Sequence, residues 1–500
     1  MRSSSRMVLA VSAVLATPLA MAPTALAAGA KDSVTIGMVL EPAPGLDPTT
    51  AAAAAIGEVT HYNIFEGLTK INEDFSITPL LAEKWTFSPD LKTLTFTLRK
   101  GVKFQDGETF SSKDVKYSFE RAAAKESTNK EKAFFASIDS IDASDPDAVV
   151  LKFKAPSFQA LFHLGLSTAV IIDEKSAATE ATQPVGTGPY KLAAWNKGSS
   201  IKLDKWDGFR DAGKIAIAHA TFRFIGDPSA AVASVLAGDV DAFPRFAAVQ
   251  NLAQFQGDPR FQVLVGGTEG KTILGINNKK APLDNLKVRQ AIAYAIDRKA
   301  IIDGAENGLG TPIGSHATPN DPGYVDLTGM YPHDPAKAKA LLKEAGVTMP
   351  LNLTLTLPPP DYARKGGEII ASELAEVGIN AKIENVEWAQ WLSGVYKGKN
   401  FDLTIISHVE PLDIGIYANP DYYFQYDNAK FRDIFAQLEA APDLDAFKKS
   451  IGEAQRQIAE DSVNGFLFQL PNVVVADANL NGVWKNAPIF ANDLSALSWK

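Results

Sequence analysis

Apolar residues recur at two different periods along this chain, and the period changes near its middle. In the first half the period is two. Lys92–Leu98 sets Leu94, Phe96 and Leu98 on one face and Thr93, Thr95 and Thr97 on the other, the pattern of a half-buried strand. Val149–Phe153 alternates similarly, and Ser33–Val39 is a further strand candidate. Between them Ser112–Arg121 reads as a short helix, with Val115 and Phe119 four apart and a serine near its start.

In the second half helical spacing takes over. Asp284–Ile302 is amphipathic, with Val288, Ile292, Ala295 and Ile296 at helical intervals, and it predicts one helix. Asp334-Pro335 is an N-cap followed by proline in the first turn, and Gly346 closes that helix. Elements then alternate: strand Leu351–Leu357, helix Glu368–Val377 ended by Gly378, strand Ile379–Val386, helix Trp388–Tyr396, strand Phe401–Ser407. Such alternation predicts a largely parallel α/β sheet. Ligands of these sheets bind beyond the carboxyl ends of the strands. The segment HVEPLDIGIYANPDYYF, His408 to Phe424, begins at such an end and places Glu410 and Asp413 there.

The N-terminus assigns the compartment. Arg2 and Arg6 precede an apolar run from Met7 to Ala16, and Ala25-Leu26-Ala27 has the small-x-small pattern of a signal-peptidase site. Cleavage after Ala27 and export are expected. Cysteine is absent from the sequence, which excludes disulfides, thiolate metal sites, a cysteine nucleophile and lipid attachment at an N-terminal cysteine. An exported, untethered chain fits a periplasm. Without residues 1–27 the chain has 473 residues, 47 basic and 58 acidic, for a formal charge of −11. That length predicts at least two domains, since single cores stop growing near about 250–300 residues. An acidic, well-mixed surface argues against nucleic acid or anionic membrane as the main partner.

Several motifs fail on inspection. Phe261–Val265 followed by GGTEGKT resembles a strand entering a phosphate loop, but Val265 stands where the Walker pattern needs glycine. Ile273–Ile276 then reads as a second strand rather than the required helix. Gly308-Leu-Gly310 lacks the third glycine of a dinucleotide fingerprint. Neither a G-x-S-x-G elbow nor H-E-x-x-H occurs. The six histidines (His61, His163, His219, His316, His333, His408) are scattered without a pair at ligand spacing. Glu410 and Asp413, three apart on one loop, can hardly flank a glycosidic bond from opposite sides. A secreted hydrolase using the two stays an alternative of another class.

Leu81-Ala-Glu-Lys-Trp85, Thr95–Phe104, Phe110–Val115 and Phe119-Glu-Arg121 resemble the family 5 extracellular solute-binding proteins, the periplasmic components of peptide- and nickel-type ABC importers. Val185–Tyr190, Leu274–Asn278, Val288–Ile292, Ala295–Arg298 and Leu342–Gly346 continue the likeness in the family's order. The resemblance implies a two-lobed periplasmic binding protein-like α/β fold, class II, in the large form with an extra subdomain in lobe one. Its mixed sheets would be joined by two crossover strands, near Ile273–Asn278 and Phe466–Val475. Residues 28–272 and 476–500 would form lobe one and 273–475 lobe two. It implies ligand enclosed by hinge closure, no catalysis, no cofactor, a monomer, and partnership with inner-membrane permease subunits. The ligand would be a peptide or similar small amine-bearing solute; an opine, a sugar or a nickel chelate, with His408 contributing, are the alternatives.

In peptide-binding members an aspartate after the strand matching Phe401–Ser407 pairs with the ligand's α-ammonium, and Asp413 falls at or near that position. Those members usually show Asp-Pro there, whereas this chain has Asp413-Ile414 with Pro411 displaced. The resemblance therefore makes Asp413 the first candidate and Glu410 the second. Tyr417, Tyr422 and Tyr423 offer apolar surface with a polar tip, either to ligand or to packing under the loop. Of Trp388 and Trp391, three apart on a helix, one is expected to face the cleft and the other the core. Gly186-Thr-Gly-Pro189 reads as a structural turn near the cleft, Glu41–Asp47 as a segment of its other wall, and Arg289 as a structural partner.

Overall fold

The computed structural model describes residues 31–51, 53–157 and 159–500. The export signal expected over residues 1–27 lies outside the described residues.

Strand alternation holds where it was expected. β1 (Ser33–Met38) buries Val34, Ile36 and Met38 and pairs in parallel with His219–Phe224. Thr93–Leu98 and Ala148–Phe153 are neighbours in a separate four-stranded sheet with Ala82–Phe87 and Ile138–Asp142. α1 (Ser112–Ala123) packs Val115 and Phe119 onto that sheet's apolar face. Its start is reciprocally capped: Ser111 Oγ accepts from the Lys113 N–H at 3.3 Å, and the Asp114 carboxylate accepts from the Ser111 N–H at 2.7 Å.

β2 (Phe261–Ile276) is one strand of 16 residues. The two strands expected on either side of GGTEGKT are its ends, and the phosphate-loop lookalike is extended backbone between them. Next, the single helix expected over Asp284–Ile302 is two helices, α2 (Leu286–Ala295) and α3 (Arg298–Ala305). The break has a local cause. Ile296 turns extended, and the Asp297 side chain accepts from the Lys299 and Ala300 N–H groups, capping a new helix. α4 (Pro335–Glu344) forms with Asp334 as its cap and Gly346 at φ 68 beyond its end.

β3 (Leu351–Leu357), α5 (Asp361–Glu376), β4 (Ile379–Asn385), β5 (Leu403–His408) and β6 (Gly465–Asp477) complete the frame. α5 starts seven residues before the expected Glu368. The helix expected over Trp388–Tyr396 begins as α-helix to Trp391 and widens into a π-helix over Leu392–Lys397.

These strands belong to an 11-stranded mixed sheet ordered β4-β3-β5-β2-β6, then Ala242–Phe243, β1, His219–Phe224, Ser200–Lys205 and Tyr190–Asn196, with Thr311–Pro312 paired to β6. β3 is parallel to both β4 and β5. β2 is antiparallel to β5 on one side and to β6 on the other. Among the second-half strands, where a largely parallel sheet was expected, parallel pairing thus joins β3, β4 and β5, while β2 and β6 run antiparallel to their neighbours. Buried side chains segregate along β2 and β6. Leu274, Ile276, Leu467 and Phe468 join the core of α2–α5 and β3–β5, whereas Val473 and Val475 pack with Phe243, Phe246 and Phe255.

Candidate functional site

A cavity of about 520 Å³ opens where β5 ends, beside the middle of β2 and β6. Its apolar wall includes Phe162, Val409, Leu470 and Phe490, and its charged groups include Lys130, Arg245, Glu269, Glu306, Glu410 and Asp413. The loop after β5 is held in a definite shape. Leu412 adopts the left-handed region at φ 54, an uncommon backbone for a leucine, immediately before Asp413. Backbone of this kind costs about 1–3 kcal/mol and clusters where a loop aims a functional side chain.

Asp413 lies on the cavity wall and is already partnered. Lys271 Nζ, from β2, is 2.9 Å from Asp413 Oδ1 and also donates to the Glu410 carbonyl at 2.6 Å. His316 Nε2 lies 3.0 Å from the same Oδ1, and His408 Nδ1 is 3.6 Å from Oδ2. The network continues inward. Tyr417 Oη is 3.0 Å from His316 Nδ1, Asn464 Nδ2 donates to Tyr417 Oη at 3.0 Å, and Ile276 N–H donates to Asn464 Oδ1 at 3.0 Å. The chain of contacts leaves β2 at Lys271 and returns to it at Ile276.

Electrostatics follow from this geometry. Burial pushes the Asp413 carboxyl up, but His316 and Lys271 outweigh it and hold the group well below the usual carboxylate range. Burial pulls Lys271 down, while Asp413, Asp321 and Glu269 more than restore its charge. Glu269 is pushed well above the usual range, first by burial and then by Asp321. Burial also raises Asp321, although Lys271 opposes it. Burial, with His316, drives His408 down to about 3, so its imidazole is neutral.

The remaining expected residues divide. Glu410 lines the cavity. Tyr417 is 1% exposed and Trp391 is buried, its indole Nε1 donating to Thr404 Oγ1 at 3.0 Å; both belong to the core beneath the loop. Trp388 is 42% exposed. None of these three lines the cavity, so the expectation that one tryptophan would face the cleft is not met. The expected wall Glu41–Asp47 does not reach it either: Asp47 pairs with Arg121, and Pro48 is the residue that lines. Gly186 and Gly188 meet the Ile64 and Asn63 carbonyls so closely that an added Cβ would lie 1.9 and 2.5 Å away. That loop is a structural turn, away from the cavity lining. Arg289 donates to the Leu283, Asp461 and Ser462 carbonyls.

Histidines that look scattered in sequence converge here. His316, His408 and Asp413 offer ligand atoms within 4.8 Å of one another, a spacing compatible with a metal ion. Sequence reasoning also missed Lys271, Glu269 and His61, which lines the cavity. No local signal was available, because Gly266–Lys271 carries small and polar residues without strand alternation.

A mixed apolar and acidic cavity, placed at a strand end and beside the long neighbouring strands β2 and β6, has the character of a small-solute binding site. The profile of the bacterial extracellular solute-binding proteins, family 5 Middle, matches residues 76–432, and the chain belongs to that family, the solute-binding components of ABC importers. It is 31% identical over 352 residues to the glutathione-binding protein GsiB of Salmonella choleraesuis, covering 69% of this chain and 68% of that protein. The agropinic acid-bound periplasmic binding protein AgaA of A. tumefaciens R10 superposes with a TM-score of 0.76 at 28% identity, over 94% of this chain and 99% of AgaA. HbpA2 of Haemophilus parasuis shares the fold with a TM-score of 0.84 at 24% identity, over 94% of this chain and all of HbpA2. Family 5 binding proteins are periplasmic, and GsiB and AgaA are binding proteins rather than enzymes.

Proposed function

We propose that this chain binds a peptide or a similar small amine-bearing solute in the cavity beside β5 and hands it to an inner-membrane permease. The carrying observation is the acidic end of that cavity, where Glu269, Glu410 and Asp413 stand together on its lining. A volume of about 520 Å³ lies within the range of small-ligand pockets, about 300–1,000 Å³. We place lobe one at residues 28–272 and 476–500, with the small four-stranded sheet as its extra subdomain, and lobe two at 273–475. The division of buried clusters along β2 and β6 supports two lobes, with Leu274, Ile276, Leu467 and Phe468 packing on the lobe-two side, while Val473 and Val475, at the far end of the proposed lobe-two span, already pack against lobe-one residues. Export with cleavage after Ala27, a monomeric state and the absence of catalysis are parts of the same reading.

Thermal-shift screening of di-, tri- and oligopeptides, opines and sugars, with native mass spectrometry of co-purified solute, tests it. Stabilisation by an amine-bearing solute without turnover is the expected result; turnover of a substrate overturns it. Two observations favour particular variants of the reading. The likeness to agropinic acid-bound AgaA favours an opine. The His316–His408–Asp413 trio favours a nickel chelate, which metal analysis of untagged protein separates from the others.

A further inference from the structure

β2 leaves its regular ladder with β6 at two places, between Thr272 and Ile273 and, over a longer stretch, before Lys271. Gly267 pairs with Pro471 and Lys271 with Gln469, and the register shifts between them, across Thr268, Glu269 and Gly270. Irregularities of this kind re-aim the side chain they carry. Here that side chain is Glu269. It lines the cavity and is 5% exposed, and its Oε2 has no hydrogen-bond partner among the described residues.

Local charge sharpens the point. Lys271 is a single ammonium acting on three carboxylates, Asp413, Asp321 and Glu269. Asp413 takes its ion pair. Glu269 is left beside Asp321 without an ion pair of its own, and burial together with the Asp321 charge raises its carboxyl so that it holds a proton. A buried carboxylate without a counter-charge is unfavourable; a cation arriving at Glu269 takes the proton's place, and the proton leaves to solvent. The family resemblance assigns a ligand ammonium to the position of Asp413, but in this chain Lys271 already holds that place. Glu269 is the buried acid of the lining left without an ion pair.

A second unpartnered group lines the same cavity. His61 is fully buried against Tyr62, with ring centroids 3.9 Å apart, and neither ring nitrogen has a hydrogen-bond partner among the described residues. Burial, aided by Lys70, pushes the imidazole down to about 3, so it offers one donor and one acceptor without positive charge.

We propose that Glu269 receives the ligand's cationic nitrogen, an ammonium or guanidinium group, while His61 receives a second, uncharged polar group of the same ligand. The inference rests on the solute-binding reading and names the charge that the solute must carry.

The test is isothermal titration of glutathione and Ala-Ala, each as the free amine and as its N-acetyl derivative. The proteins are the full mature chain and its Glu269→Gln, Glu269→Asp and His61→Phe variants, with a melting curve for each. Wild type is expected to bind at least one free amine about 30-fold or more tightly than its acetylated form, the scale of a buried charge pair. Glu269→Gln should bring that ratio close to one by weakening the amine alone. His61→Phe should weaken both forms in proportion and leave the ratio in place. If Glu269→Gln melts below the assay temperature, Glu269→Asp decides: drawing the carboxylate back by one methylene should lower the ratio, and an unchanged ratio overturns the proposal. Equal wild-type affinity for amine and acetyl forms, or a Glu269→Gln ratio like that of wild type, overturns the clamp while solute binding stands. Failure of every probe to bind well-folded wild type overturns both.

Discussion

Glu66 and Glu269 are both nearly inaccessible glutamates, at 2% and 5% exposure, yet their surroundings are opposites. Both oxygens of Glu66 are satisfied. Arg210 grips it bidentately, with Nη1 donating to Oε2 at 2.7 Å and Nη2 to Oε1 at 2.6 Å, and Thr187 Oγ1 adds a third bond at 2.9 Å. Glu269 has one oxygen without a partner and shares one lysine with two other acids. The first arrangement is closed and holds the tight turn of Gly186–Pro189 in place. The second is open toward a cavity. Burial of a carboxylate therefore says little about its purpose; whether its charge is balanced says much more.

Four measurements break or sharpen that contrast. The largest effect is expected at the closed site. Glu66→Gln leaves the Arg210 guanidinium without its counter-charge and should lower unfolding free energy by about 3–5 kcal/mol in urea titrations, with the amine preference of the surviving fold unchanged. Asp413→Asn is intermediate. It removes the negative charge that faces Lys271 and His316, but Glu269 and Asp321 remain to balance the lysine, so a loss of about 2 kcal/mol is expected by the same measurement.

The third is a pH slope. Glu269 in the folded chain keeps its proton above the 4.5 of an ordinary glutamate, so over that window the folded state binds one proton more than the unfolded state. Stability then falls as pH rises through the window, by up to about 1.4 kcal/mol per pH unit. Asp321, Lys271 and Asp413 face the same group and are unchanged in Glu269→Gln, so the melting temperature of that variant should drop less than that of wild type between pH 5 and pH 8. The smallest effect is expected at Trp388, exposed and away from the cavity lining. Trp388→Ala should leave solute affinity unchanged and stability within about 0.5 kcal/mol.

Local signals were legible in the sequence wherever neighbouring residues alone decide the structure. The Asp334-Pro335 cap, the Gly346 stop and the strands β3 and β4 appear where the residues put them. A capping residue hidden inside an apolar run was not legible, because Asp297 keeps the helical period while ending one helix and starting another. β2 was read as two strands because Gly266–Lys271 carries polar and small residues. Those residues sit where the strand passes tightly by other chain: an added Cβ at Gly266 would lie 2.2 Å from the Lys485 carbonyl. At the site, the loop after β5 and the position of Asp413 at the cavity were legible from topology. Its partners were not, since Lys271 and His316 come from segments far away in the chain, and no local pattern announces a long-range ion pair.

The ring of contacts from Lys271 round to Ile276 also has a direction. Its two ends can only give protons, one being an ammonium and the other a peptide N–H. The Ile276 N–H sets the Asn464 amide with its oxygen toward β2, so the amide nitrogen faces Tyr417. The tyrosine oxygen accepts there and turns its own hydrogen to His316 Nδ1; any other choice strands that hydrogen in the core. His316 then carries its hydrogen on Nε2, pointing at Asp413. Two streams of donors, one from each end of the ring, thus empty into the same carboxylate oxygen. Asp413 works as the drain of this circuit, and a third stream brought by a ligand finds its outlet two residues before Lys271 instead.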